Sequence, residues 1–232
     1  MRAHRFLGEF DLQKENFTLT EAGLVRQIRT VLRMKPGGRL ELVTPDGEVG
    51  VAEIVKISSS GVDVKVLEVK NKTKNDDRQT ILFAAILKRE NFEWIAQKAT
   101  EVGVDVLVPV ITARTVKTGL KEERLLKIIT EATEQSGRTE TMQLKLPHSF
   151  KEALDLAASL ERIIVCHQGG TEFQLQKKEK SIGVFIGPEG GWESSELQEF
   201  EAARAEVVTL GETTLRAETA AIIASYLVCQ GK

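Results

Sequence analysis

Cysteine, histidine and aromatic side chains are all scarce in this chain. The two cysteines, Cys166 and Cys229, lie far apart and in no Cys-x-x-Cys pair. That excludes a four-ligand structural zinc site. The three histidines, His4, His148 and His167, form no His-Glu-x-x-His motif and no close pair, so no catalytic metal is expected. Nine Phe, two Trp and one Tyr in 232 residues are too few for an aromatic platform that stacks single-stranded nucleic acid. The longest purely apolar run, Ile81 to Leu87, is far shorter than the roughly 20 residues of a membrane-spanning helix. The start, Met1 to Phe6, has no apolar signal core. Reduced thiols in a cytoplasmic protein are therefore expected. A net charge of −2 excludes a polycation that wraps nucleic acid.

What is present is ordinary globular material, 41% hydrophobic and 28% charged, enough for one large domain or two small ones. Residues 71–79, Asn-Lys-Thr-Lys-Asn-Asp-Asp-Arg-Gln, contain no apolar side chain. They read as a linker between a domain at 1–70 and another at 80–232. Before the linker the pattern is mainly β. Leu40–Thr44 and Val49–Ile57 flank a turn at Pro45-Asp46-Gly47, and Val62–Val69 alternates. One helix, about Glu21 to Arg33, carries an apolar stripe of Val25, Ile28 and Leu32. A small barrel with one helix fits.

After the linker, apolar strands alternate with helices. Strands are expected at Ile81–Leu87, Val104–Ile111, Arg162–Cys166, Ser181–Ile186 and Glu206–Leu210. Helical stripes run through Phe92–Val102, Leu125–Ala132, Phe150–Leu160, Ser194–Arg204 and Arg216–Val228. Strands apolar throughout, separated by helices, indicate an α/β domain with a parallel sheet covered on both faces.

Ligands of open α/β sheets sit beyond the carboxyl ends of the strands. Three of those ends hold glycines and polar groups. They are His167-Gln168-Gly169-Gly170, then Gly187-Pro188-Glu189-Gly190-Gly191-Trp192, then Gly211 through Ala220. The second lacks the Gly-x-x-x-x-Gly-Lys pattern of a phosphate loop and the Gly-x-Gly-x-x-Gly of a dinucleotide site. With few charges along it, the loop suits a neutral ligand held by backbone amides and carbonyls, or simply a tight turn.

Residues 21–40 carry Arg26, Arg29, Arg33, Lys35 and Arg39 against Glu21 alone. On an α-helix the spacing of Arg26, Arg29 and Arg33 puts them on one face. Such a face is ordinarily solvated; with Arg2 and Arg5 it suits phosphates.

The order Ile186-Gly-Pro-Glu-Gly-Gly191, Leu210-Gly211, Leu215-Arg-Ala-Glu-Thr-Ala220 resembles the ribosomal RNA small-subunit methyltransferase E family, of the SPOUT class. Lys98-Ala-Thr-Glu-Val-Gly-Val104, Glu131-Ala-Thr-Glu-Gln-Ser-Gly-Arg138, Arg5-Phe6 and Val31-Leu32-Arg33 are similar to other segments of that family, in order along nearly the whole chain. It departs from the pattern at Gln27, where a histidine is expected, and after Arg138, where a proline is.

The resemblance implies a PUA-like N-terminal β-barrel and a C-terminal SPOUT domain with a deep trefoil knot. It implies a homodimer with the active site at the subunit interface, S-adenosylmethionine (SAM) as methyl donor, and N3-methyluridine in small-subunit ribosomal RNA as product, within the small ribosomal subunit. Contacts to SAM then fall to His167, Ile186, Gly187, Glu189, Gly190, Gly191, Leu210, Gly211, Leu215, Arg216, Thr219 and Ala220. Arg138 is the candidate for stabilising the uridine anion, with Arg216 and Glu218 orienting each other or the substrate. Arg2, Arg5, Arg26, Arg29 and Arg33 are the candidate RNA contacts. The other readings are a knotted enzyme acting on a ribose 2′-oxygen or a transfer RNA base, and a non-catalytic RNA-binding dimer.

Overall fold

The computed structural model of the protein describes residues 4–45, 47–70, 78–116, 119–174 and 179–229. They form two compact units, Met1–Thr73 with Gly137–Glu140, and Lys74–Ser136 with Thr141–Lys232. Most of the expected linker lies outside the described residues. Its last two residues do not behave as a linker. Arg78 is 6% exposed and Gln79 opens a strand.

The first unit is a five-stranded sheet. Its strands are β1 (His4–Leu7), β2 (Asn16–Leu19), β3 (Arg39–Val43), β4 (Val49–Ile57) and β5 (Val62–Lys70), in the order β1-β3-β4-β5-β2. β1 runs parallel to β3, and the other neighbours are antiparallel. Alternation along β3 and β4 sends Leu40, Leu42, Ala52 and Ile54 into one core with Phe6, Leu24 and Ile28. β1 and β2 were not anticipated. At four residues each, they are too short to show a period.

The helix expected over residues 21–33 is two pieces. An α-helical turn, α1 (Ala22–Arg26), passes into a π-helical turn at Gln27–Val31. Arg33 follows with φ at +49°. The wider π turn breaks the 3.6-residue period, so Arg26, Arg29 and Arg33 do not share a single α-helical face.

The second unit is a parallel sheet of seven strands. They are β6 (Gln79–Ala85), β7 (Val106–Ile111), β8 (Gln143–Leu144), β9 (His148–Ser149), β10 (Arg162–Glu172), β11 (Ser181–Ile186) and β12 (Glu206–Thr209). The order is β12-β10-β11-β6-β7-β8, with β9 also against β7, and every pairing is parallel. The helices are α2 (Arg89–Val102), α3 (Glu122–Ser136), α4 (Phe150–Ala157), α5 (Ser194–Ala202) and α6 (Ala217–Cys229).

Both faces of the sheet are covered, as continuous apolar strands require. Leu82, Ala84, Val184 and Ile186 face α2, α3 and α6. Ile81, Phe83, Val108 and Phe185 face α4 and α5. Five of the twelve aromatics gather on that second face. Phe83 stacks on Phe185 with ring centroids 4.3 Å apart, and Phe200 meets Phe185, Phe150 and Trp192 edge-on at 4.9 to 5.0 Å. Arg78 ties the first strand to the last helix, its guanidinium donating to the carbonyls of Glu179 at 2.9 Å and Val228 at 3.4 Å.

β10 runs six residues past its expected end at Cys166. Its pairing with β12 breaks between Cys166 and Thr171 and then resumes. The segment His167–Gly170 is therefore an irregularity inside a strand rather than a loop after one.

Candidate functional site

β12, β10 and β11 are adjacent and parallel, so their carboxyl ends emerge side by side. The three segments picked out in the sequence consequently converge, and they enclose a cavity of about 700 Å³. His167, Ile186, Gly187, Glu189, Gly190, Gly191, Leu210, Leu215, Arg216, Glu218 and Ala220 all line it. Gly211 and Thr219 belong to the same segment but do not border the cavity.

The glycine loop has firm local reasons for its shape. Gly191 N–H donates to the Pro188 carbonyl at 2.8 Å, closing a tight turn, and the chain leaves that turn with φ at +70° on Gly191, a conformation that favours glycine. The Trp192 ring lies so close beneath Gly187 that a Cβ there would stand 3.1 Å from it. Trp192 is 4% exposed, and its indole N–H donates to the Cys166 carbonyl at 3.2 Å, joining the loop to β10. Gln168 donates through its side-chain amide to Thr214 Oγ1, which joins β10 to the segment before α6.

The walls are chemically mixed. Lys88, Arg114 and Arg216 bring positive charge, and Glu189 and Glu218 bring negative charge. Glu218 lies in the first turn of α6 at 5% exposure. One of its carboxylate oxygens is buried with no hydrogen-bond partner among the described residues. A buried acceptor left unmatched is costly, so a wall of this kind favours a ligand that brings an N–H or O–H donor. Cys166 also lines the cavity, but burial pushes its thiol up to about 12. It is neutral at physiological pH and no nucleophile. Among the described residues no group of His, Cys, Asp and Glu could hold a metal ion. No helix among them is long and apolar enough to cross a membrane.

Lys88, Asn91 and Arg114 were not singled out from the sequence, yet all line the cavity. They stand just beyond β6 and β7. The strand-end rule that found the other loops covers these ends as well. What hid them is that the residues directly after each strand, Ile86–Lys88 and Thr112–Thr115, include no glycine.

The other candidates fall elsewhere. Arg138 is not among the residues that line the cavity and belongs with the first unit. Arg5 is only 17% exposed. It pairs with Glu41 at 2.7 Å, and it donates to the carbonyls of Gly137 and, at 3.3 Å, Arg138. It is a structural tether, set apart from the exposed basic residues. Arg26, Arg29 and Arg33 are exposed. Arg2 lies outside the described residues.

Comparison with known proteins converges on one family. Residues 74–228 match the RNA methyltransferase domain, and residues 28–67 match the RNA methyltransferase PUA domain. The ribosomal RNA small subunit methyltransferase E of Rickettsia conorii is 30% identical over 206 residues, which span 86% of this chain and 84% of that protein. A methyltransferase of Legionella pneumophila, solved with bound SAM, superposes with a TM-score of 0.88 at 27% identity, covering 98% of this chain and 97% of that one. The ribosomal RNA small subunit methyltransferase E of Neisseria gonorrhoeae, solved bound to S-adenosyl methionine, gives a TM-score of 0.86 at 26% identity, covering 97% and 96%. An α/β unit with a cavity at its strand ends, a PUA unit before it and relatives aligned along nearly the whole chain agree: this chain belongs to the ribosomal RNA small subunit methyltransferase E family.

Proposed function

We propose that this protein transfers a methyl group from SAM to N3 of a uridine in small-subunit ribosomal RNA. The observation that carries the reading is the strand-end cavity, built from the segments by which the chain resembles its family. Its volume of about 700 Å³ suits a ligand the size of SAM. The unmatched buried oxygen of Glu218 suits one rich in N–H and O–H donors. The residues present therefore fit SAM.

When bound, SAM supplies a methyl group already activated by its sulfonium, so the protein's task is alignment. The backbone of Gly187–Gly191 and of Leu210 would hold it from two sides, with His167, Leu215, Arg216 and Ala220 completing the pocket and Glu218 accepting from a donor group. Uridine N3 carries a proton and becomes a nucleophile once that proton passes to bulk water. Arg138, which stands outside the cavity of its own chain, would stabilise the resulting uridine anion by its charge from across the proposed dimer interface, and Arg216 orients the base. N3 lies on the pairing edge, so the target base must be unpaired or turned out. Arg26, Arg29 and Arg33 grip RNA phosphates, an interaction that ignores sequence and weakens with salt.

The same reading gives residues 1–70 to an RNA-binding PUA-like barrel and, past a linker that ends before Arg78, the rest of the chain to a SPOUT domain closed by a trefoil knot. It also makes the protein a homodimer. Trp94 on α2 and Tyr226 on α6, 62% and 50% exposed on two helices that pack together, support such an interface. The work is placed in the cytoplasm, on the small ribosomal subunit.

The test is calorimetric titration with SAM, followed by mass spectrometry of nucleosides from small subunits incubated with enzyme and SAM. Wild type is expected to bind SAM saturably and to produce N3-methyluridine. Gly190→Val, whose new side chain would push into the Arg114 stem 3.2 Å away and into the cavity, is expected to lose both. Methyl on a ribose 2′-oxygen would refute the N3 assignment, and a folded wild type with no affinity for SAM would refute the cofactor.

A further inference from the structure

The softest joint in the cavity wall is the Gly190–Gly191 link, since two adjacent glycines leave the backbone with the widest choice of conformations. The structure pins that joint on both sides. On one side Gly191 N–H donates to the Pro188 carbonyl at 2.8 Å. On the other, the Gly190 carbonyl, part of the same rigid peptide plane, accepts from the Arg114 guanidinium.

Arg114 comes from the turn after β7. Thr115 Oγ1 closes that turn by accepting from Thr112 N–H at 2.9 Å. Arg114 Nε also donates to Glu193 Oε1 at 2.7 Å. Next to it, Ala113 N–H donates at 3.0 Å to Oε1 of Glu196, which is 4% exposed. The other Glu196 oxygen accepts from Glu193 N–H at 2.8 Å. One guanidinium and one buried carboxylate thus tie the β7 turn to the glycine loop at Gly190 and at the entry to α5. Arg114 itself lines the cavity.

We propose that Arg114 is a positioning residue for the methyl donor. It locks the Gly190–Gly191 peptide, and so fixes the directions in which the loop's remaining amides and carbonyls face the cavity. This rests on the SAM reading above. Both partners of the Arg114–Glu193 pair are about two-fifths exposed. Such a pair adds little to global stability, so its contribution must appear in the local order of the loop. A guanidinium serves here because it reaches a carbonyl and a carboxylate at once, which an ammonium on a single stem does poorly.

The experiment compares wild type with Arg114→Ala, Arg114→Lys and Arg124→Ala. The last breaks another ion pair, the half-exposed Arg124 with the less exposed Glu93 at 2.6 Å, between residues that do not line the cavity. Three quantities are read: SAM affinity by calorimetry, thermal midpoint, and amide hydrogen exchange over residues 187–194. Arg114→Ala is expected to weaken SAM binding roughly tenfold and to speed exchange at Gly191 by a similar factor, with a midpoint close to that of Arg124→Ala. Arg114→Lys is expected to restore part of both, and Arg124→Ala to change neither. Unchanged affinity and exchange in Arg114→Ala overturn the proposal. Weaker binding with unchanged exchange also overturns it, because Arg114 would then be touching the ligand rather than setting the loop. A wild type that does not bind SAM removes the cofactor reading. The clamp is then still decided, for or against, by the exchange rate at Gly191.

Discussion

In the first unit Arg26, Arg29 and Arg33 stand exposed around a π-helical turn. In the second, the glycine loop is held by a buried tryptophan below and by Arg114 at its side. The two regions answer to different ligands. A phosphate chain asks for positive charge within a Debye length, and small displacements of that charge change little. Methyl transfer asks for reacting atoms held in line to a fraction of an ångström, and only a buttressed wall supplies that. Arg5 shows that charge in the first unit can also be structural. It is largely buried and bound to Glu41 and two carbonyls.

The largest effect is expected from the buttress. Trp192 sits in one cluster with Phe150 and Phe200. Trp192→Ala should cost about 3–5 kcal/mol in chemical denaturation, as loss of a buried aromatic ring does, and should abolish SAM binding well below the melting transition. A variant that kept wild-type affinity would mean that the loop needs no support from beneath, and the contrast between the two regions would fall.

Much of that contrast could be read in the sequence, for physical reasons that differ by element. β6 and β11 show themselves because both sheet faces are buried and every residue of Ile81–Ala85 must be apolar. The glycine loop shows itself because tight turns restrict residue type. Arg114 carries no such signature. A lone arginine after a strand reads as surface, and its role depends on Glu193 and Gly190, almost eighty residues later. The π turn at Gln27–Val31 was equally hidden, since Val25, Ile28 and Leu32 satisfy an α-helical stripe. The extension of β10 past Cys166 was obscured by two glycines that punctuate the sequence without ending the strand.

The next effect separates structural from exposed charge in the first unit. Replacing Arg26, Arg29 and Arg33 together by Ala should leave the unfolding midpoint and SAM affinity unchanged. Binding to small-subunit RNA should weaken at every sequence, and the slope of log affinity against log salt should drop by roughly one for each phosphate no longer neutralised. Arg5→Ala should do the reverse, costing about 1–3 kcal/mol of stability through the Glu41 and carbonyl bonds it removes. If the triple variant binds RNA as wild type does, the basic residues are a solvated surface and the RNA-binding face lies elsewhere.

The smallest effect concerns charge in the second unit away from the cavity. Glu93 on α2 is held below the usual carboxylate range chiefly by its hydrogen bond to Arg124 on α3, against some loss of hydration, with Arg89 adding to the lowering. A carboxyl whose folded value is depressed stabilises the protein above its unfolded value and loses that contribution as pH falls through the folded one. The contribution should therefore be complete at neutral pH and begin to fade near the ordinary value of 4.5, vanishing at more acid pH. Thermal midpoints of wild type and Glu93→Gln should differ slightly at pH 7 and converge on acidification, with the SAM affinity of both equal throughout. A surface pair is worth so little that the difference at pH 7 should stay within a few degrees. The pair at the cavity lip, Arg114 with Glu193, has the more exposed carboxylate, and should add no more to stability than this one while being unmatched in ligand affinity. The place of a charge in the fold, rather than its energy, then decides whether it is felt at the site.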